Sequence, residues 1–157
     1  MSLQPGFLLS IAGLGVTLAG FSGLAFAFRR GAALKPMDAY RLRQIPEMGL
    51  AVAIVALVTI PLLDTVRPHA AIQIASGAVL LFTVWHILAL NLRLQRLKLR
   101  QTTEGLTAAG LINVAVLIVG AASLAVGSPV AYEWVLVLLL ARTTLAFVLV
   151  ISDVGVG

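Results

Sequence analysis

The stretch WVLVLLLARTTLAFVLVI, residues 134–151, carries a single formal charge, Arg142, in an otherwise uncharged and mostly apolar run. A helix of about 20 such residues crosses the roughly 30 Å hydrocarbon core of a bilayer. Four more runs of this kind lie upstream, so the expected spans are residues 7–28, 46–63, 71–92, 106–126 and 131–152. Together they read as one all-α, polytopic transmembrane helical bundle occupying residues 1–157 as a single domain.

Composition agrees. Apolar residues make up 61% of the chain, charged residues 11%, and the mean hydropathy is +1.07. Soluble domains carry about 25% charged residues, so lipid is the solvent for most of this protein. The net charge of +5 invites a nucleic-acid partner until its distribution is considered. Nine of the 11 Lys and Arg fall in two connecting stretches: Arg29, Arg30, Lys35, Arg41 and Arg43, then Arg93, Arg96, Lys98 and Arg100. Clustering of that kind is the positive-inside signal of short cytoplasmic loops. It predicts an N-terminus outside, a C-terminus inside and no nucleic-acid partner.

There are no cysteines and only two histidines, His69 and His86. Disulfides and thiolate chemistry are excluded, and neither a transition-metal site nor a cofactor is expected. No cation precedes the first apolar run, whereas a secretory leader opens with positive charge; that run is therefore expected to stay as a span. No HExxH, phosphate-cradling glycine loop or clustered Ser/His/Asp set occurs, and the expectation is a protein that is not an enzyme.

Within the first span Gly15, Ala19, Gly23 and Ala27 recur every four residues. That spacing puts them on one helix stripe where another backbone can approach closely, either within the bundle or at a homodimer seam. The stretch 34–44 opens on Pro36 and reads as a short helical turn outside the membrane, leaving the second span, 46–63, as the shortest crossing. Glu47 follows Arg43 by four residues, the spacing of a local ion pair. Beyond residue 92 the third helix is expected to run on out of the membrane. Its cations Arg93, Arg96, Lys98 and Arg100 then meet water or anionic lipid headgroups, each worth about 1 kcal/mol near such a surface.

A guanidinium in hydrocarbon needs a partner. Helical side chains tilt toward the helix N-terminus, so Arg142 is expected to lean outward, with Asp64 at the outer end of the second span and Gln73 at the outer end of the third as its nearest partners. Asn113 and His86 lie at similar inner depths and can hydrogen-bond across helices. Two readings of Arg142 stay open: a contact that fixes helix register, or a charge lining a polar cavity or pore for a small ion or solute. The matching partner expectations are a homo-oligomer and a larger membrane complex on which the chain docks.

The residues Thr17-Leu18-Ala19-Gly20-Phe21-Ser22-Gly23-Leu24, then Asp38, Arg41-Leu42-Arg43, Glu47 and Pro61-Leu62-Leu63, resemble a pattern found in small uncharacterised integral membrane proteins of bacteria. The resemblance covers about the first 60 residues. It implies a bacterial origin and an inner-membrane location, and no activity.

Overall fold

The computed structural model describes residues 3–28, 36–97 and 103–152. Five α-helices occupy them: α1 Pro5–Phe28, α2 Pro36–Thr65, α3 Pro68–Leu97, α4 Thr103–Val126 and α5 Pro129–Ser152. No strand occurs among the described residues. Each helix contains a stretch long and apolar enough to cross a membrane. The five-span, all-helical expectation therefore holds.

Four of the helices begin at a proline: Pro5, Pro36, Pro68 and Pro129. The first helical position suits proline because its missing N–H has no partner there in any helix. The turn between α4 and α5 shows the complementary signal at a helix end. Gly127 takes φ +61° and its N–H donates to the Ser123 carbonyl at 2.7 Å. This left-handed cap stops α4. Ser128 follows, and its hydroxyl oxygen accepts a 3.4 Å bond from the Ala131 N–H at the start of α5.

Two boundaries differ from expectation. Residues 36–44 are not a separate turn but the first part of α2, which runs unbroken through Pro46 and Pro61 to Thr65. The apolar stretch it offers the membrane, Leu42–Thr65, has 24 residues and is not a short crossing. Pro46 sits one turn or more inside the helix, where its lost hydrogen bond is tolerated because neighbouring helices can satisfy the freed groups. The third helix continues past residue 92 to Leu97, as its alternating leucines and cations predicted.

Helices α2, α3, α4 and α5 form a ring, and α1 lies along α2 while touching α5. The α2–α3 seam is the loosest of the ring. The main core gathers Leu8, Val52, Ala56, Ile72, Val79, Val116, Tyr132 and Leu136 from all five helices. A smaller one joins Leu42, Ile45 and Val150 near the end that carries the basic connections.

Small residues explain the tight α1–α2 packing. A Cβ placed on Gly15 would lie 2.5 Å from the Gly49 carbonyl oxygen, and one on Gly49 would lie 2.5 Å from that of Gly15. Ala53 and Ala19 flank the contact. Of the expected ladder, Gly15 and Ala19 face α2. Gly23 has no non-local atom within 4 Å of where its Cβ would be, and Ala27 is exposed. The stripe thus divides between an internal seam and an open surface.

Candidate functional site: a polar end to an apolar bundle

The interior away from the basic end contains hydroxyl pairs that satisfy one another. The Thr59 and Tyr132 hydroxyls are 2.7 Å apart and fully buried. Thr59 also donates to the Val55 carbonyl at 2.7 Å. With its one proton committed there, Thr59 accepts from Tyr132. Ser76 and Ser123 form a second buried pair at 2.7 Å between α3 and α4. Gln73 is bound nearby, its Nε2 donating to the Leu124 carbonyl at 3.0 Å.

Toward the basic end the chemistry changes from hydroxyl to charge. Gln44 of α2 and His86 of α3 approach each other, Nε2 to Nε2, at 3.4 Å. Phe82 packs against the His86 ring with centroids 5.8 Å apart. Arg142, only 6% exposed, is near enough to act electrostatically on His86, as do Glu47 and Arg93. Glu47 accepts from Arg43 Nε at 3.0 Å and lies 3.8 Å from Arg93. Three helices therefore bring Gln44, Glu47, His86, Arg93 and Arg142 into one region. The Arg43–Glu47 pair stands as the i, i+4 spacing predicted; the reach across to Arg93 adds a second helix to it.

The partner expected for Arg142 is corrected by this arrangement. Asp64 is exposed at the far end of α2. It lies 17 residues beyond Glu47, about 25 Å at 1.5 Å per residue, so it stands at the opposite end from the charged group. Gln73, 13 residues before His86 on α3, is about 20 Å away by the same rise and is bound to Leu124. Arg142 thus belongs with His86, not with Asp64 and Gln73. Helix packing, not the average lean of a side chain, decides which neighbours a buried guanidinium meets. Asn113 is half-buried on α4, and His86 meets Gln44 rather than Asn113.

Where α2 and α3 part, a groove of about 360 Å³ opens sideways. Its apolar wall comprises Leu50, Ala51, Ile54, Phe82, Trp85, Ala89 and Leu90, and its polar end Glu47, His86 and Arg93. Trp85 is 70% exposed. Of the cations expected at headgroups, Arg93 and Arg96 are exposed, whereas Lys98 and Arg100 fall outside the described residues. No cluster of three His, Cys, Asp or Glu able to hold a metal occurs among the described residues.

Gln44 ends the stretch expected to form a separate turn and is not among the expected site residues, yet it lies within α2. Continuing α2 back through Pro46 reveals it. Glu47, Leu50, Ala51 and Ile54 then share a stripe at 3 and 4 spacings, matched on α3 by Phe82, Trp85, His86, Ala89, Leu90 and Arg93. Polar residues recurring at those spacings on both helices were the available signal.

Five spans of this length and composition make the chain a multi-span membrane protein. No protein-family model, curated protein or solved structure matches it.

Proposed function

We propose that this protein is a non-enzymatic carrier for a small anion or polar solute, acting as a homo-oligomer in a bacterial inner membrane with its basic end toward the cytoplasm. The observation that carries this reading is Arg142, buried in an apolar helix within electrostatic reach of His86, which in turn meets Gln44. Intramembrane charges commonly mark solute pathways. Among the described side chains, Arg43, Arg93 and Arg142 outnumber the one carboxylate, Glu47, in this region, which favours an anion over a cation. The packed Thr59–Tyr132 contact fills the bundle beyond the polar region. That favours binding and release at one site over an open pore through a single chain.

Vesicles containing the purified protein test this with a panel of small anions, chloride, phosphate and short carboxylates. Uptake of at least one should exceed that of empty vesicles, and Arg142→Leu should cut it about tenfold or more, the factor for one lost charge-assisted hydrogen bond of 1.5–3 kcal/mol. Arg142→Lys should keep part of the flux. Undiminished flux in correctly folded Arg142→Leu protein, or no uptake of any anion by the wild type, would refute the proposal.

A second reading, a subunit docking on a larger membrane complex, is favoured by the outward face of α1. Gly13, Gly20 and Gly23 there are exposed and have no non-local atom within 4 Å of a built Cβ, the smooth surface that close helix packing uses. Co-purification of a stoichiometric partner from the native membrane, lost on Gly20→Leu, would select it.

A further inference from the structure

The groove between α2 and α3 combines features that a solute site does not need. It opens to the side of the bundle, within the segments Leu42–Thr65 and Pro68–Arg93 that cross the bilayer. Its rim residues Leu50, Ile54 and Trp85 are exposed apolar side chains, at 46%, 60% and 70%. Ligand sites span about 300–1,000 Å³, and at about 360 Å³ this one suits a chain segment, not a whole folded partner. The apolar wall runs toward the middle of the spans, and the polar residues gather at the basic end.

We propose that this groove holds one anionic glycerophospholipid of the surrounding leaflet, with an acyl chain against Trp85, Leu50 and Ile54 and the headgroup phosphate on Arg93. Charge complementarity selects the headgroup. Glu47 is already held by Arg43 at 3.0 Å, whereas its contact with Arg93 is 3.8 Å long, with the two side chains 38% and 47% exposed. Pairs of that exposure contribute little. The Arg93 guanidinium therefore keeps donors for a phosphate, which it can take in the two-pronged geometry that arginine offers and lysine lacks. Arg96, exposed in the last turn of α3, adds a second cation near the same surface. The lipid would occupy the groove whether or not the bundle moves a solute.

The chain contains two tryptophans, Trp85 and Trp134. In a Trp134→Phe background Trp85 becomes the only indole and reports on the groove directly. The protein is placed in vesicles of phosphatidylcholine in which a fixed minor fraction is replaced by lipid brominated on its acyl chains, either phosphatidylglycerol or phosphatidylcholine. Trp85 should be quenched at about fivefold lower content of the brominated phosphatidylglycerol, the factor equivalent to about 1 kcal/mol per cation at a surface. Arg93→Gln should erase the preference, and Glu47→Gln should strengthen it. Equal quenching by the two lipids, or a preference unchanged in Arg93→Gln, would overturn the proposal. So would loss of the preference on adding millimolar inorganic phosphate at constant ionic strength, since that assigns Arg93 to a free anion. Both variants alter exposed side chains, so helicity by circular dichroism should match the parent. Failure of the anion-uptake assay leaves this quenching result untouched, and the reverse is equally true.

Discussion

Gly15 of α1 and Gly49 of α2 meet backbone to backbone, each occupying the space that the other's Cβ would need. Without a hydrophobic force between helices in lipid, such close van der Waals contact is a main source of association. Gly49→Val should therefore lower thermal stability in detergent by about 1–3 kcal/mol, the usual cost of overpacking. Gly23→Ala, which meets nothing, should be neutral or stabilising by up to about 1 kcal/mol through helix propensity. Equal losses in the two variants would show that the seam is not the cause.

The Thr59–Tyr132 contact is asymmetric, and mutation should reveal it. Tyr132→Phe leaves Thr59 still bound to the Val55 carbonyl, so the loss should be about 0.6 kcal/mol, typical of a bond between membrane helices. Thr59→Val strands the fully buried Tyr132 hydroxyl and should cost more, about 1–3 kcal/mol. The double variant should then be less destabilised than the sum of the two, a coupling that unfolding in a denaturing detergent can measure.

Gly127 is constrained twice. Its φ of +61° disfavours any side chain, and a Cβ there would collide with the His69 ring. Gly127→Ala should destabilise the α4–α5 turn by about 1–2 kcal/mol, the cost of a left-handed L-residue. Adding His69→Ala should recover only the collision and leave the backbone strain. Full recovery in the double variant would mean that sterics alone operate at this turn.

The separation of Asp64 from Arg142 gives a simple contrast. Asp64→Asn, at an exposed helix end, should change stability by less than about 0.5 kcal/mol, as surface substitutions do, and should leave anion uptake unaltered. Arg142→Leu should abolish most of that uptake. A matching loss from Asp64→Asn would place the two residues on one pathway after all.

The five helices were legible because membrane spans announce themselves by composition alone: residues 7–28 and 131–152 differ from α1 and α5 by two residues or fewer at each end. Prolines start four of the helices, but the expected spans began two to ten residues beyond them. What composition could not supply was rotation about each helix axis. An all-round apolar helix has no preferred face, so the sequence named Arg142 without indicating which neighbour it meets, and the outward lean of its side chain favoured Asp64 and Gln73. Gly49 was hidden for the same reason. The ladder Gly15, Ala19, Gly23 and Ala27 is visible as a pattern, while its counterpart on α2 is the single pair Gly49 and Ala53, four residues apart, one step of the spacing and not a run.

The connections at the two ends of the bundle differ in length. Two residues join α2 to α3, and two join α4 to α5, at one end, whereas seven and five residues separate α1 from α2 and α3 from α4 at the other. Each hairpin is thereby pinned at its short turn, like tweezers held at the hinge. Any parting of α2 from α3 must pivot near residues 66–67, and the displacement grows along the arms. With helices of about 45 Å for 30 residues, a few degrees at the pivot becomes a few ångströms beside Gln44, His86 and Arg93. The geometry concentrates motion where the charge is, and leaves the hydroxyl pairs near the hinge almost still.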